Sequence, residues 1–390
     1  MNGQFITNVR IVFPGERITP GSLLLRDGQI AALNPANIPS DAMMIDGCDG
    51  LLTPGLIDLH THGIQKFRYH YDTPPEHFEA ASRVLPQYGT TCVFPTVIPA
   101  DEPNLVANLS RLRANLLKHT GSNMPGIHLE GPFLAVGGAA CATLPGDLVL
   151  LDEILAACDD RVAIMSVSPD QKKILPVIER LRERGIMPFI THTRAGVEQT
   201  QAAIDAGAMH ATHFYDVFPI PNENDPGVRP VGAVETILAD RRVSVDFICD
   251  AVHVHPVAIR AAVEAKGWQG VILITDSNIG AGLPPGEYDT PWGYKVRVRA
   301  GGAARHVTEN FLAGSALTMN VGMKNLLQWL DLPPEQVWAM GTLNPARLLG
   351  LTQKGRIAVG AEADLVLWDD DLIPIKTWVS GRRIYERGSN

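Results

Sequence analysis

The stretch PGLIDLHTHG, Pro54 to Gly63, opens as a short apolar run and closes on two histidines. A run of this length between turn residues reads as a buried strand, Gly55–His62. Seven similar runs follow: Thr90–Ile98, Gly126–Phe133, Val162–Ser168, Met187–Thr193, His210–Val217, Ser244–His253 and Val271–Asp276. Each leads into a polar loop, and most loops lead into helical spacing. Leu105, Leu109, Leu112 and Leu116 share one helical face, with Asp101 as the expected cap. Strand–helix alternation implies a parallel sheet. Eight such units over residues 53–354 predict an α/β fold, a TIM-like (β/α)8 barrel, with its functional groups at the C-terminal strand ends.

Both chain ends read differently. Phe5–Phe13 and Gly21–Leu33 are β-rich, with RDG at Arg26–Gly28 as a hairpin turn. Gly355–Asp371 and Ile375–Gly388 alternate apolar and polar positions around a turn at Ser380–Gly381. Neither piece is long enough to bury a core alone. The expectation is one small β-sandwich domain built from 1–52 plus 355–390, since chain termini are often close in space.

Composition narrows the class. Of 390 residues, 45% are hydrophobic, enough for a large core. Gly 36 and Pro 29 are spread along the chain as turns, not as low-complexity tracts. The net charge of −9 argues against nucleic-acid or anionic-membrane binding, both of which need a basic face. No apolar run is long enough to span a membrane, and no secretory leader is visible at Met1–Arg17. The five cysteines, Cys48, Cys92, Cys141, Cys158 and Cys249, form no CxxC pair and read as reduced thiols of a cytoplasmic protein.

Of twelve histidines, six (His60, His62, His192, His213, His253 and, less cleanly, His255) fall at the ends of four expected strands. His60 and His62, two apart on a strand, point the same way and suit one divalent ion. In HLEGPF, His128–Phe133, Glu130 follows an apolar strand and precedes a sharp turn, where a carboxylate can hold or bridge metals. Singly, His192 and His213 are more often structural; beside Glu130 they become candidate ligands. Asp276, ending the eighth run in ILITDSN, is the candidate general base beside a metal-activated water; its alternative is a helix cap. His255, followed by Pro256, is either a substrate contact or an ordinary loop histidine.

At these residues the chain resembles the amidohydrolase superfamily: PGLIDLHTHG, single histidines after the fifth and sixth strands, and an Asp after the eighth. HLEGPF, Thr212–His213, DAVHVHP (Asp250–Pro256), Thr275–Ser277 and LAGSALTM (Leu312–Met319) more closely resemble the N-acetylglucosamine-6-phosphate deacetylases. The similarity covers nearly the whole chain. It implies Glu130, His192 and His213 as the principal metal site, with His60, His62 and Asp276 making a second site in two-metal members. It implies one or two divalent ions, zinc first, with iron, cobalt or manganese as alternatives. It also implies Asp276 as catalytic acid/base, His253 as a substrate contact, an N-acetylated small-molecule substrate and a homodimer.

Two departures from that pattern stand out. THFYDVF places Asp216 where the family has Asn at the sugar-phosphate end, and Asn224 stands near the family's phosphate-gripping Arg, with Arg229 the nearest arginine. The Lys-Gly-Ala-His continuation after HLEGPF is also missing.

The reaction implied is hydrolysis of an N-acetyl amino sugar, N-acetylglucosamine-6-phosphate or a close analogue, to amine and acetate, with Asp216, Arg229, His253 and His255 around the substrate. Alternatives are an amidohydrolase for a different N-acyl or cyclic amide, phosphorylated or not, or a deaminase. A non-catalytic relative would be expected to have lost ligands; this chain keeps all six. Gly280–Gly302 reads as a hairpin insertion near the mouth, a candidate lid, in which Trp292 packs on a sugar or anchors the hairpin.

Overall fold

The computed structural model describes residues 3–100, 103–116, 119–138, 141–222, 225–290, 293–299 and 302–388. The N-terminal strands are β1 (Gln4–Phe13), β2 (Arg17–Arg26), β3 (Gln29–Leu33) and β4 (Met43–Pro54). β1 and β2 are antiparallel, and Asp27 (φ 49°) with Gly28 (φ 84°) closes the β2–β3 hairpin. Two left-handed residues in a row match the right-handed strand twist, as in a type I′ turn.

The barrel strands are β5 (Leu56–Thr61), β6 (Thr90–Val97), β7 (Ile127–Glu130), β8 (Val162–Val167), β9 (Met187–Ile190), β10 (His210–Ala211), β11 (Ser244–Ile248) and β12 (Val271–Ile274). Among the described residues they form one eight-stranded parallel sheet in chain order. It closes where Asp276 N donates to His60 O (2.8 Å) and His62 N to Ser277 O (2.7 Å). Every residue of β5 and β6 is buried. Helices cover such strands outside and side chains fill the barrel inside, so their sequence reads as continuous apolar runs.

After β12 come β13 (Gly286–Asp289), β14 (Lys295–Val298), β15 (Ala303–His306) and β16 (Leu312–Ser315), a four-stranded antiparallel sheet. The insertion is therefore not a single hairpin ending at Gly302. Its last strand lies inside the LAGSALTM motif, where Ser315 N donates to Asp276 O (2.8 Å) and ties the insertion to the mouth.

The C-terminal strands β17 (Leu365–Trp368), β18 (Pro374–Val379) and β19 (Arg382–Glu386) join the N-terminal ones in a seven-stranded sheet, ordered β19-β18-β17-β4-β1-β2-β3. The sheet curls, so that Ile30 N reaches Ala361 O (2.9 Å), and it encloses its own core of Ile6, Leu23, Leu52, Leu365 and Trp378. Trp368 instead faces the barrel, donating Nε1–H to Thr53 Oγ1 (2.8 Å) and packing over Gly89 and Trp338.

The expected barrel strands all end earlier than their sequences suggest, and two differences bear on the site. The run His210–Val217 is a strand only over His210–Ala211, because His213, Tyr215 and Val217 take left-handed backbone (φ 35°, 76° and 55°). The run Ser244–His253 ends at Ile248, which leaves His253 in a loop. Leu105, Leu109 and Leu112 are buried as their spacing implied. Asp101, Asn224, Trp292 and the Leu116 side chain lie outside the description.

Candidate metal centre

Six expected side chains meet at the C-terminal mouth of the barrel. His60 lies on β5 and His62 one residue beyond it; Glu130 ends β7. His192, His213 and Asp276 each stand two residues past a strand end, with φ of 49°, 35° and 45°. Non-glycine residues rarely adopt such values, and their clustering here marks a site whose side-chain aim is imposed by the fold.

Glu130 is the hub. Its Oε2 lies 3.2 Å from His62 Nε2 and 3.8 Å from His60 Nε2. Its Oε1 lies 3.2 Å from His213 Nε2 and 3.3 Å from His192 Nε2. Asp276 Oδ1 adds a second carboxylate oxygen, 3.3 Å from His62 Nε2 and 3.7 Å from His60 Nε2. One carboxylate thus separates two histidine pairs.

The outer nitrogens fix the tautomers. His62 Nδ1 donates to Thr96 O (3.2 Å), His192 Nδ1 to Val136 O (2.9 Å) and His213 Nδ1 to Asp216 O (3.2 Å), since a carbonyl can only accept. Thr212 Oγ1 gives its proton to Asp246 (3.0 Å) and so accepts from His60 Nδ1 (3.0 Å). All four neutral rings then present bare Nε2 lone pairs to carboxylate oxygens. Lone pair against lone pair needs positive charge between, which a divalent cation supplies, and the outer-nitrogen pattern is the one metal-bound histidines show. The residues fit the ion.

Without a cation, protons take that place. Burial pulls His62 and His213 downward, but Asp276 and Glu130 outweigh it at His62, and chiefly Glu130 at His213, lifting both to about 10. Burial alone would raise Glu130 and Asp276. His60, His192 and His213 hold Glu130 well below the usual carboxylate range, and His62 and His60 hold Asp276 at about 2.

Beneath lies a buried polar layer that sequence reasoning missed. Asp246 accepts from His210 Nε2 (2.8 Å), Thr212 Oγ1 and the His213 backbone. Asp58 accepts from Thr275 Oγ1 (2.6 Å) and the His60 backbone, and burial pushes it up to about 7. Strand periodicity held a signal for Asp58, which shares a face with His60 and His62. His128 is structural: Nδ1 donates to Leu59 O (3.0 Å), and burial keeps its ring neutral.

The cavity over the cluster, about 110 Å³, is lined by Glu130, His192, Asp276, Asp216, Asn278 and Tyr294, among others. Sequence reasoning also missed Cys141, whose sulfur lies within 4.8 Å of ligand atoms of Glu130 and His192. Asp216 does face this cavity; the other three expected substrate contacts do not line it. His253 is clamped to Asp250 Oδ2 (2.7 Å). His255 is exposed and caps helix Pro256–Lys266, accepting from Val257 N (3.2 Å). Arg229 is exposed and bonds Glu235 Oε1 (2.6 Å), beside an adjoining apolar cavity of about 570 Å³. A cavity of about 830 Å³ lies elsewhere, lined largely by the helices Leu105–Ser110 and Leu148–Ala157; it lacks such a cluster, so size does not identify the site.

With a histidine–carboxylate cluster at the barrel mouth, residues 51–384 match the amidohydrolase family model. The chain belongs to the amidohydrolase family. An N-acetylglucosamine-6-phosphate deacetylase of Lysinibacillus sphaericus is 30% identical over 382 residues, 97% of this chain and 96% of that one. An N-acetylgalactosamine-6-phosphate deacetylase of Escherichia coli O157:H7 is 29% identical over 92% of this chain and 93% of its own. A solved mutant N-acetyl-D-glucosamine-6-phosphate deacetylase of Mycobacterium smegmatis, in complex with N-acetyl-D-glucosamine-6-phosphate, superposes with a TM-score of 0.86 at 27% identity, over 98% of this chain and all of that one. Family membership and the donor set together support a divalent metal in this amidohydrolase. No helix among the described residues is long and apolar enough to cross a membrane.

Proposed function

We propose that this amidohydrolase removes the acetyl group from an N-acetylated amino sugar, as its relatives' names describe for their 6-phosphates. One observation carries the reading: Glu130 stands between two pairs of histidines whose Nε2 atoms lack protons in the metal-ready tautomers.

Glu130, His192 and His213 would hold one ion, and His60, His62 and Asp276, sharing Glu130, a second. Zinc suits this nitrogen–oxygen set, and iron, cobalt or manganese are its competitors. When bound, such an ion acidifies water and polarises an acyl carbonyl. Asp276 takes a proton from the attacking water and returns it to the leaving nitrogen, because an amide nitrogen departs poorly unprotonated. The N–C bond breaks, and water's oxygen leaves in acetate. Thr96 O, Val136 O, Asp216 O and Thr212 Oγ1 hold the imidazoles in place through the reaction.

The proposal includes a small domain of 1–52 plus 355–390 bracing the barrel of 53–354. It includes a homodimer, supported by exposed Ile220, Val228 and Val231 around the apolar cavity, and a cytoplasmic setting, supported by five cysteines outside disulfides. The test is metal analysis of the purified protein, then acetate release from N-acetylglucosamine, N-acetylgalactosamine and their 6-phosphates. Ammonia instead of acetate would favour the deaminase reading.

A further inference from the structure

We infer that the substrate carries no phosphate and that Asp216 selects it through its hydroxyl groups. The inference rests on the deacetylase reading and narrows its substrate class.

The cavity is acidic. Glu130, Asp216 and Asp276 line it, and no Lys or Arg does among the described residues. Its other polar lining is His62, His192 and His213, which belong to the metal cluster, and Asn278, Tyr294 and Cys141, which carry no fixed positive charge. Of the short segments outside the description, only 117–118 contains a Lys or Arg, Lys118. One bound divalent ion would leave the three carboxylates in excess. Two would outweigh the three by one charge, but they would be held at the Glu130 and Asp276 end of the cavity, and Asp216 belongs to neither ligand group.

Arg229 does not supply the missing charge. Its guanidinium bonds Glu235, which is itself fixed by Gly232 N (3.1 Å), and the pair lines the apolar cavity with Tyr215 and Phe218. Among the described residues of this chain, a phosphate at the mouth would meet a carboxylate and no Lys or Arg of the cavity lining. Phosphate oxygens only accept at neutral pH, so they cannot satisfy Asp216 either.

Asp216 is held where it is. It lies in a turn with His213, Tyr215 and Val217 in left-handed conformation, and its own carbonyl accepts from His213 Nδ1. Positive φ at a β-branched residue such as Val217 persists only where the surroundings impose it. A carboxylate fixed in a cavity suits neighbouring sugar hydroxyls, which donate to its two oxygens. The inferred ligand class is an uncharged N-acetyl sugar.

The experiment uses the full-length, metal-loaded protein. It measures acetate release from N-acetylglucosamine, N-acetylgalactosamine and N-acetylmannosamine, each against its 6-phosphate, for the native protein and Asp216→Asn. We expect kcat/KM for at least one free sugar to exceed that of its 6-phosphate about tenfold or more, mostly through KM. Asp216→Asn should shrink that ratio about tenfold with the metal content unchanged. A native preference for the 6-phosphate, or a ratio unmoved in Asp216→Asn, overturns the inference and leaves deacetylation standing. Absence of acetate from every sugar and every phosphate overturns the deacetylase reading, and this inference with it.

Discussion

Glu130 Oε2 lies 3.2 Å from His62 Nε2, while the other oxygen of the same carboxylate faces His192 and His213. Ions bound on its two sides would share one ligand. Glu130→Gln halves the available charge and puts an NH2 toward one histidine pair. The expected result is loss of metal from at least one side and a fall in kcat of at least about a hundredfold. Metal-to-protein stoichiometry by elemental analysis checks it; an unchanged ratio would count against the shared-ligand geometry.

Metal uptake should release protons. In the metal-free protein His62 and His213 are lifted to about 10, above the ordinary 6.5. Both are therefore protonated at pH 8, whereas a ligand imidazole must be neutral. Adding zinc to chelator-treated protein in weak buffer should liberate at least one proton per chain, read with a pH indicator. The same shift sets an alkaline limb for the metal-free fold. Its stabilising contribution is complete below about pH 6.5 and fades as pH climbs through 10. Tm of the chelated protein should decline across that window, and metal should flatten the decline.

Asp276→Asn separates chemistry from folding. Asp276 has φ 45°, which asparagine tolerates, so the backbone should survive. The variant loses the proton carrier and keeps Glu130, His192 and His213. We expect kcat to fall by roughly 10²–10⁴, with Tm within a few degrees of the native protein. Retention of more than a tenth of the native kcat would exclude Asp276 as the acid/base.

Thr212 acts through His60. Thr212→Val keeps the side-chain shape but removes the acceptor for His60 Nδ1 and one donor to Asp246. Losses of such outer partners typically lower metal affinity 10–100-fold. Chelator competition should register that drop on the His60–His62 side, while Thr212→Ser restores most of it.

The small sheet is clasped to the chain by a buried ion cluster. Lys354 Nζ lies 2.7 Å from Asp364 and 2.5 Å from Glu362, and Asp364 also accepts from Ser380 N (2.6 Å) and Asn123 Nδ2 (3.3 Å). Lys354→Met strands two carboxylates, of which Asp364 is buried, and should cost about 3–5 kcal/mol. Denaturant unfolding measures it; the double variant Lys354→Met with Asp364→Leu should recover part of the loss.

The amino-acid sequence alone carried the strand count and the identity of the six clustered groups. Both are local signals: buried parallel strands read as apolar runs, and His60, His62, Glu130 and Asp276 stand at their ends. The same local reading overextended the strand after His210, because nothing local marks Tyr215 and Val217 for left-handed backbone. It also stopped the insertion at Gly302, although Ala303–His306 and Leu312–Ser315 are two further strands joined through the turn at Val307–Glu309.

Which groups face one another was decided only by closing the barrel. Asp246 under His60 and His213, Cys141 beside His192, Asp216 inside the cavity and Arg229 outside it are relationships between strands and loops far apart in sequence. Residue type fixes what a side chain can donate, accept or ligate. Packing fixes the few ångströms that determine its partner, and electrostatic and hydrogen-bonding energies fall off over that same distance.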